Sequence, residues 1–385
     1  MEEIMEGFLK YSSDPYTSIS QWKEKNNKKV IGIFPMHIPH EIIHAAGMLP
    51  VSVWRGDESV TLAHSHIPPY NCGIARSFID DVLKVKLSFM DGLICFRQCL
   101  PAAAVPFPIE MNAPFPYMEF LYFAAAFYGV KGEYPSQIVL DFLMEDLDRL
   151  KEGIEKHFDL KITKEALNNS IEIYNKNRKL LRKLYDLRRE KGEILKAREM
   201  MAIVHSSMLM PKEEHNVLLE RLLTKLESVK PTSNGQHKVI LTGGLCQTIN
   251  YSVLDLIEET NMTVVDDDLY IGSRSFLNDV EVSEDPIRAF ADQYFKKTPP
   301  CPTKADWKVD WTGYIIDIVK KSDAKGVISV LIKYCPPHLC YYPDITNKLR
   351  EVDIPEVLLE VEHEIVSLEQ TRTRLQSFRE IMERT

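Results

Sequence analysis

Gly326-Val-Ile-Ser-Val-Leu-Ile-Lys-Tyr-Cys-Pro-Pro-His-Leu-Cys-Tyr-Tyr-Pro-Asp344 is the stretch whose reading decides the fold. Val327 to Ile332 is short, almost wholly apolar and rich in β-branched residues, the composition of a strand buried on both faces of a parallel sheet. The run ends at Lys333-Tyr334, which places Cys335 just past the strand's carboxyl end, the edge where open α/β sheets bind ligands. Pro336 and Pro337 lack backbone donors, and they read as stiffening that loop and forbidding an immediate helix. His338 stands beside the thiol.

Outward from this unit, strand and helix patterns alternate. Towards the amino end come a strand at Lys238–Thr242, a turn at Gly243-Gly244, a helix over Tyr251–Glu259 and a strand from Met262 to Val265 that runs out into Asp266-Asp267-Asp268. Helices are expected near Asp285–Tyr294 and Tyr314–Ser322, a last strand at Glu356–Glu360 and a closing helix over Glu369–Arg384. The first part of the chain repeats the alternation. A helix over Tyr16–Lys25 precedes a strand at Val30–Phe34, and His37–Gly47 carries Pro39 near a helix start and Gly47 just past its end. Strands at Pro50–Trp54 and Met90–Phe96 flank a helix from Cys72 to about Leu87, and Cys99 lies past the second of them. The aromatic and proline-rich stretch Pro101 to Tyr128 gives no clear pattern.

Between the two α/β parts, Val139–His157, Lys164–Glu190, Glu193–Met208 and Lys212–Ser228 alternate apolar pairs with Lys, Arg and Glu, as long amphipathic helices do. Lys230–Gln236 has the composition of a linker. The fold class expected is α/β, with two parallel-sheet domains (1–134 and 231–385) joined by a helical segment (135–230).

Composition sets outer bounds. The chain has 385 residues, more than one usual core, with 45% hydrophobic and 27% charged residues and a net charge of −9. With no basic stripe, nucleic acid is not the expected partner. The start, Met-Glu-Glu-Ile-Met-Glu-Gly, lacks the order of a signal peptide, and the longest apolar run, near Phe120 to Val130, is too short to span a bilayer. A cytoplasmic protein with no membrane partner is expected. Seven cysteines then point to reduced thiols or metal ligands rather than disulfides.

No Cys-x-x-Cys occurs; Cys95 and Cys99 are four apart, Cys335 and Cys340 five. Spacing alone favours scattered core cysteines. Position favours a site, because Cys72, Cys99 and Cys335 each fall at a strand end or a helix start, where two domains can converge. Cys246, after Gly-Gly-Leu, and Cys301, in Pro-Pro-Cys-Pro, read as structural. Gly243-Gly244 has neither dinucleotide nor P-loop spacing, so no ATP binding is expected. Asp266–Asp268 reads as a strand-end turn with capping carboxylates before it reads as a cation site. Of His37, His40 and His44, only the last two share a helix face, and no cysteine is close in sequence.

Several stretches in order resemble one family. Phe34-Pro35 and Pro39-His-Glu-Ile-Ile-His-Ala-Ala-Gly-Met-Leu-Pro50 look like the signature near the start of the benzoyl-CoA reductase and 2-hydroxyacyl-CoA dehydratase subunits. Asn71-Cys72-Gly-Ile-Ala-Arg76-Ser77 and Leu87-Ser-Phe-Met-Asp91-Gly92 continue it. Val264–Asp268, Ile271–Arg274, Pro300–Thr303, Lys333–His338 and Glu369–Arg374 fit its second half. The helical middle and Pro101–Tyr128 match least.

The resemblance implies two Rossmann-like domains around an iron–sulfur cluster, 4Fe-4S or a larger double-cubane type, held by Cys72, Cys99 and Cys335. The family usually has Cys-Asp at the second position where this chain has Cys99-Leu100, so Cys95 stands as the alternative ligand. Three thiolates leave one iron open. The resemblance also implies a paralogous cluster-carrying subunit, a separate iron–sulfur ATPase that activates the pair, and an acyl-CoA thioester that passes through a ketyl-type radical anion. Glu41 and His338 are the candidate proton handlers. The expected activity is ATP-dependent reduction of an aromatic acyl-CoA, as in benzoyl-CoA reductase. A 2-hydroxyacyl-CoA dehydratase subunit is the alternative, and a non-catalytic scaffold paralogue a third reading.

Overall fold

The computed structural model describes residues 1–52, 58–122, 136–230, 235–243, 246–304, 310–362 and 367–384. It is an α/β protein built on two four-stranded, entirely parallel sheets. The first part runs α1 (Glu2–Ser13), α2 (Pro15–Asn26), β1 (Val30–Phe34), α3 (His40–Ala45), β2 (Leu49–Ser52), α4 (Gly73–Leu83), β3 (Gly92–Phe96), α5 (Leu100–Ala104), α6 (Pro106–Asn112) and β4 (Tyr117–Leu121). Four helices follow: α7 (Gln137–Phe158), α8 (Lys164–Lys191), α9 (Ala197–Ser206) and α10 (Lys212–Glu227). The rest comprises β5 (His237–Thr242), α11 (Tyr251–Glu259), β6 (Met262–Asp268), α12 (Pro286–Asp292), α13 (Trp311–Ser322), β7 (Gly326–Ile332), α14 (Pro336–Glu351), β8 (Glu356–Val361) and α15 (Leu368–Arg384).

The strand orders are β2-β1-β3-β4 and β6-β5-β7-β8, so the two sheets share one topology despite unlike sequences. Side chains alternate between faces along each strand. Val30 and Phe34 of β1 join a core that also holds Leu241 of β5, Val330 of β7, Leu184 of α8 and Leu222 of α10. Ile31 and Ile33 face the other way, against Leu143 and Leu147 of α7 and Phe290 of α12. On the second sheet, Ile240 and Val327 face α13 and α14. Each such aliphatic side chain contributes roughly 1.5–3 kcal/mol on full burial.

Several expectations are corrected. Pro336 and Pro337 do not delay a helix; α14 starts at Pro336 itself. The first-turn amides of a helix have no intrahelical acceptor, so proline at N1 loses nothing, and its fixed φ suits the helix. The Asp266–Asp268 triplet is not a turn past β6 but its buried last three residues. Each carboxylate has a partner. Asp266 pairs with Arg189 at 2.6 Å, Asp267 accepts from the Tyr185 hydroxyl at 2.5 Å, and Asp268 pairs with Arg274 at 2.6 Å and accepts from Trp311 Nε1 at 2.7 Å. Among the described residues nothing in the triplet is left for a cation.

The helix α1 was not expected, although Ile4, Met5, Phe8 and Tyr11 form its buried stripe. In Pro101–Tyr128, Pro101 and Pro106 open two short helices and Tyr117 begins an edge strand; 123–128 lie outside the described residues. So do Val53 and Trp54, Gly244, the apolar run beyond Tyr122, and 231–234 of the linker. No helix among the described residues is long and apolar enough to cross a membrane.

Candidate functional site

In a sheet of order 2-1-3-4, connections leave the two central strands in opposite directions, and a crevice opens past their carboxyl ends. Both crevices open onto one cavity of about 30 Å³. Phe34 and Pro35 reach it from β1, Gln98 and Cys99 from beyond β3, Gly243 and Cys246 from beyond β5, and Ile332 and Cys335 from β7. Cys72, Ile74 and Ala75 close it from α4.

Three of the cysteines hold the same local position. Cys72 is the N-cap of α4, Cys99 of α5 and Cys335 of α14. An N-cap side chain lies over the first turn, near amides that have no intrahelical acceptor and at the positive end of the helix dipole. Tyr334, in a left-handed conformation with φ of 62°, turns the chain sharply from β7 into that position.

Burial is the main influence on the four thiols of this cavity. It raises Cys72 above its ordinary value, Cys99 to about 12, and Cys335 and Cys246 well above the usual thiol range, with the neighbouring cysteines adding to the rise in the last three. The first-turn amides of Ala75, Ala102 and His338 act in the opposite direction. Without a bound cation these groups are therefore thiols. A group that holds them as thiolates must supply its own positive charge.

Sulfur is the main donor in a wall of Phe34, Pro35, Ala102, Ile332 and Pro337 that also carries Gln98, Thr303 and His338 and no carboxylate. That chemistry suits iron–sulfur ligation. No group of three or more His, Cys, Asp or Glu among the described residues is placed to hold a single metal ion. The two facts agree, because cysteines that bind a cluster attach to different irons and do not converge on one point.

His338 belongs to this cavity. Its Nδ1 lies 3.1 Å from Cys335 Sγ, and Trp311 meets its ring edge-on at 5.5 Å. Burial, with the Arg274 charge behind it, pulls it down to about 3, so the ring is neutral. Glu41 lies elsewhere. It lines a second cavity of about 160 Å³ between α3, α8 and the loops near Tyr270 and Cys301. Burial alone would raise Glu41, but its ion pair with Arg178 holds it below the ordinary carboxylate range, so it is ionised and can accept but not donate a proton. Lys212 shares this cavity, 4.7 Å over the Tyr174 ring, with burial pulling its ammonium down to about 7.

The other sequence candidates separate cleanly. Cys95 is fully buried within β3 and lines neither cavity. Cys301 is engaged by the Tyr270 hydroxyl and by Thr303 Oγ1 at 2.8 Å and lines the larger cavity. His37, packed against Tyr270 and Tyr294, and His40, in contact with Ser52 Oγ at 3.0 Å, both line the larger cavity beside Glu41, whereas His44 contacts Ser170 and Glu213 and is not part of its lining. Cys246, read from the sequence as structural, lines the same cavity as Cys72, Cys99 and Cys335. Its signal was positional: it follows the end of β5 as Cys335 follows the end of β7.

A family model described as 2-hydroxyglutaryl-CoA dehydratase, D-component, matches residues 35–382. A benzoyl-CoA reductase subunit of Thauera aromatica is 28% identical over 90% of this chain and 89% of its own length. The (R)-phenyllactyl-CoA dehydratase beta subunit of Clostridium sporogenes is 26% identical over 99% of both chains. The (R)-2-hydroxyglutaryl-CoA dehydratase beta subunit of Acidaminococcus fermentans is 26% identical over 98% of both.

Proposed function

The chain belongs to the 2-hydroxyglutaryl-CoA dehydratase D-component family, and from that premise we propose that it is the cluster-carrying subunit of an acyl-CoA enzyme of the benzoyl-CoA reductase type. The observation that carries the reading is the meeting of Cys72, Cys99 and Cys335, from three helix N-caps, on one sulfur-lined cavity between two sheet switch points. Those residues would hold an iron–sulfur cluster, which supplies single-electron transfer when bound. The apolar part of the wall limits contact of the sulfurs with water. The first-turn amides favour the charged thiolates. The neutral His338 ring, with Nδ1 on Cys335 Sγ, donates to that sulfur in its Nδ1–H tautomer. Glu41, ionised beside Arg178, is a proton acceptor for whatever occupies the larger cavity. A paralogous subunit and a separate iron–sulfur ATPase complete the assembly in this reading, since the chain carries no phosphate loop of its own.

A 2-hydroxyacyl-CoA dehydratase is the second reading. The two dehydratase beta subunits align over 98–99% of the chain, against 90% for the reductase subunit. Electron bookkeeping separates the two. A reductase delivers two electrons to each product, whereas a dehydratase recycles its electron. With the partner subunit, the ATPase and an aromatic acyl-CoA, we expect ATP-dependent loss of aromatic absorbance with reductant consumed in fixed ratio to product. Conversion of a 2-hydroxyacyl-CoA to an enoyl-CoA after catalytic priming, with aromatic thioesters untouched, would establish the dehydratase instead.

A further inference from the structure

We propose that the larger cavity is a carboxylate site, in which the acid group of a small ligand with an apolar or aryl body seats beside Lys212. It builds on the function proposed above only in taking that cavity, lined by Glu41, as a ligand site; the binding itself needs no cluster.

Charge does not balance on the lining. Among the described residues Glu41 is its one carboxylate, against Arg178, Lys212 and Arg274. Arg178 takes Glu41 as its partner, and Arg274 pairs at 2.6 Å with Asp268, which is not part of the lining. Lys212 is left over. It is only 6% exposed, its Nζ donates to the Ser207 carbonyl and stands over the Tyr174 ring, and it has no ion pair among the described residues. An ammonium has three protons to donate, and burying one without a counter-charge is costly. Water can accept the hydrogen bonds but cannot balance the charge; a carboxylate does both. Arg274 Nη2, also buried on the lining, lacks a hydrogen-bond partner among the described residues and is a second polar atom for a ligand to satisfy.

The rest of the lining selects the body that carries the acid. Leu143, Leu147, Val280 and Phe290 are apolar, and the rings of His37 and Tyr270 meet edge to face at 5.1 Å. A cavity of about 160 Å³ holds more than an inorganic anion, since a single water needs about 10–15 Å³. Such a wall gains from burying hydrocarbon and gains nothing from a phosphate or sulfate. A free organic acid and the far carboxylate of a dicarboxylic acyl-CoA share this chemistry.

The test is calorimetric titration of the full-length chain, isolated without oxygen, with benzoate, benzamide, glutaryl-CoA and inorganic phosphate. Benzoate should bind about tenfold more tightly than benzamide, which has its shape without its charge, and phosphate should not displace it. That comparison uses the unaltered chain and does not depend on any variant folding. Lys212→Met keeps the side chain's length without its charge; it should bring the benzoate-to-benzamide ratio close to one with no fall in melting temperature. Lys212→Arg should keep most of the preference. Glutaryl-CoA bound more tightly than benzoate, with the same loss in Lys212→Met, assigns the carboxylate to a thioester; the reverse order assigns it to a free acid. Equal affinity for benzoate and benzamide, phosphate bound as tightly as benzoate, an unchanged ratio in folded Lys212→Met, or no binding of benzoate or glutaryl-CoA overturns the proposal. Iron content of the same samples reports on the cluster separately, so a brown protein that binds no carboxylate sinks this site and leaves the cluster reading standing.

Discussion

Cys72→Ser, Cys99→Ser and Cys335→Ser should each strip most of the iron and labile sulfide from anaerobically isolated protein, whereas Cys95→Ser should strip none. The reason is position: the first three face the cavity from helix N-caps, while Cys95 points into the hydrophobic core. Full iron in Cys99→Ser, with loss in Cys95→Ser, would reverse that assignment. The positions of Cys99 and Cys335 were legible in the sequence because a cysteine just past a buried apolar run sits at a strand's carboxyl edge, and that of Cys72 because it opens a helix. Glu41 was legible only in part. Its place near a helix start could be read, but its partner could not, since Arg178 lies 137 residues away in sequence. A contact of that separation leaves no local pattern, and it decides whether the carboxyl gives or takes a proton.

Elements were read best where periodicity was long and boundaries were marked by capping chemistry. Tyr251–Glu259 and the long helices α7 and α8 emerged nearly as expected, and β1 matched residue for residue. The helix α14 was missed because two prolines were weighed as breakers without regard to place in the turn, and β6 was cut short because three aspartates were read as a strand-end turn with capping carboxylates. Both errors share a cause: tertiary partners, such as Arg189, Tyr185 and Arg274 for the aspartates, override local polarity. The tightest joint between elements is Gly243, which ends β5 beside β7 with φ of 138°. A Cβ there would lie 1.9 Å from the Val330 carbonyl oxygen. Gly243→Ala should therefore cost roughly 1–3 kcal/mol from backbone conformation alone, with further loss from the clash, and should lower cluster occupancy because β5 and β7 both end on the cavity. A melting temperature and iron content equal to the unaltered protein would show that the joint yields.

At the scale of the molecule, the largest core joins both sheets with α8, α10 and α15, through residues such as Phe34, Val330, Leu184, Leu222 and Phe378. Shared burial couples their unfolding, so calorimetry and far-ultraviolet circular dichroism should report one coincident transition. Two separated transitions would mean that each sheet keeps its own stability. The parallel α/β class was readable from the alternation of strands and helices, but the identical strand order of the halves was not, because topology depends on which strands pair and sequence records only their succession. The cavity's place between the two sheets has a further consequence for how the protein matures. Translation delivers Cys72 and Cys99 first, then the whole helical middle, and only after it Cys246 and Cys335, which follow β5 and β7. A nascent chain on the ribosome thus has thiols but no cavity, and they stay open to oxidation until the second sheet closes over them. On the proposed reading that the cavity holds a cluster, loading is a late step, and a carrier of iron and sulfide would meet a finished fold and enter past the half-buried Cys99 and Cys335.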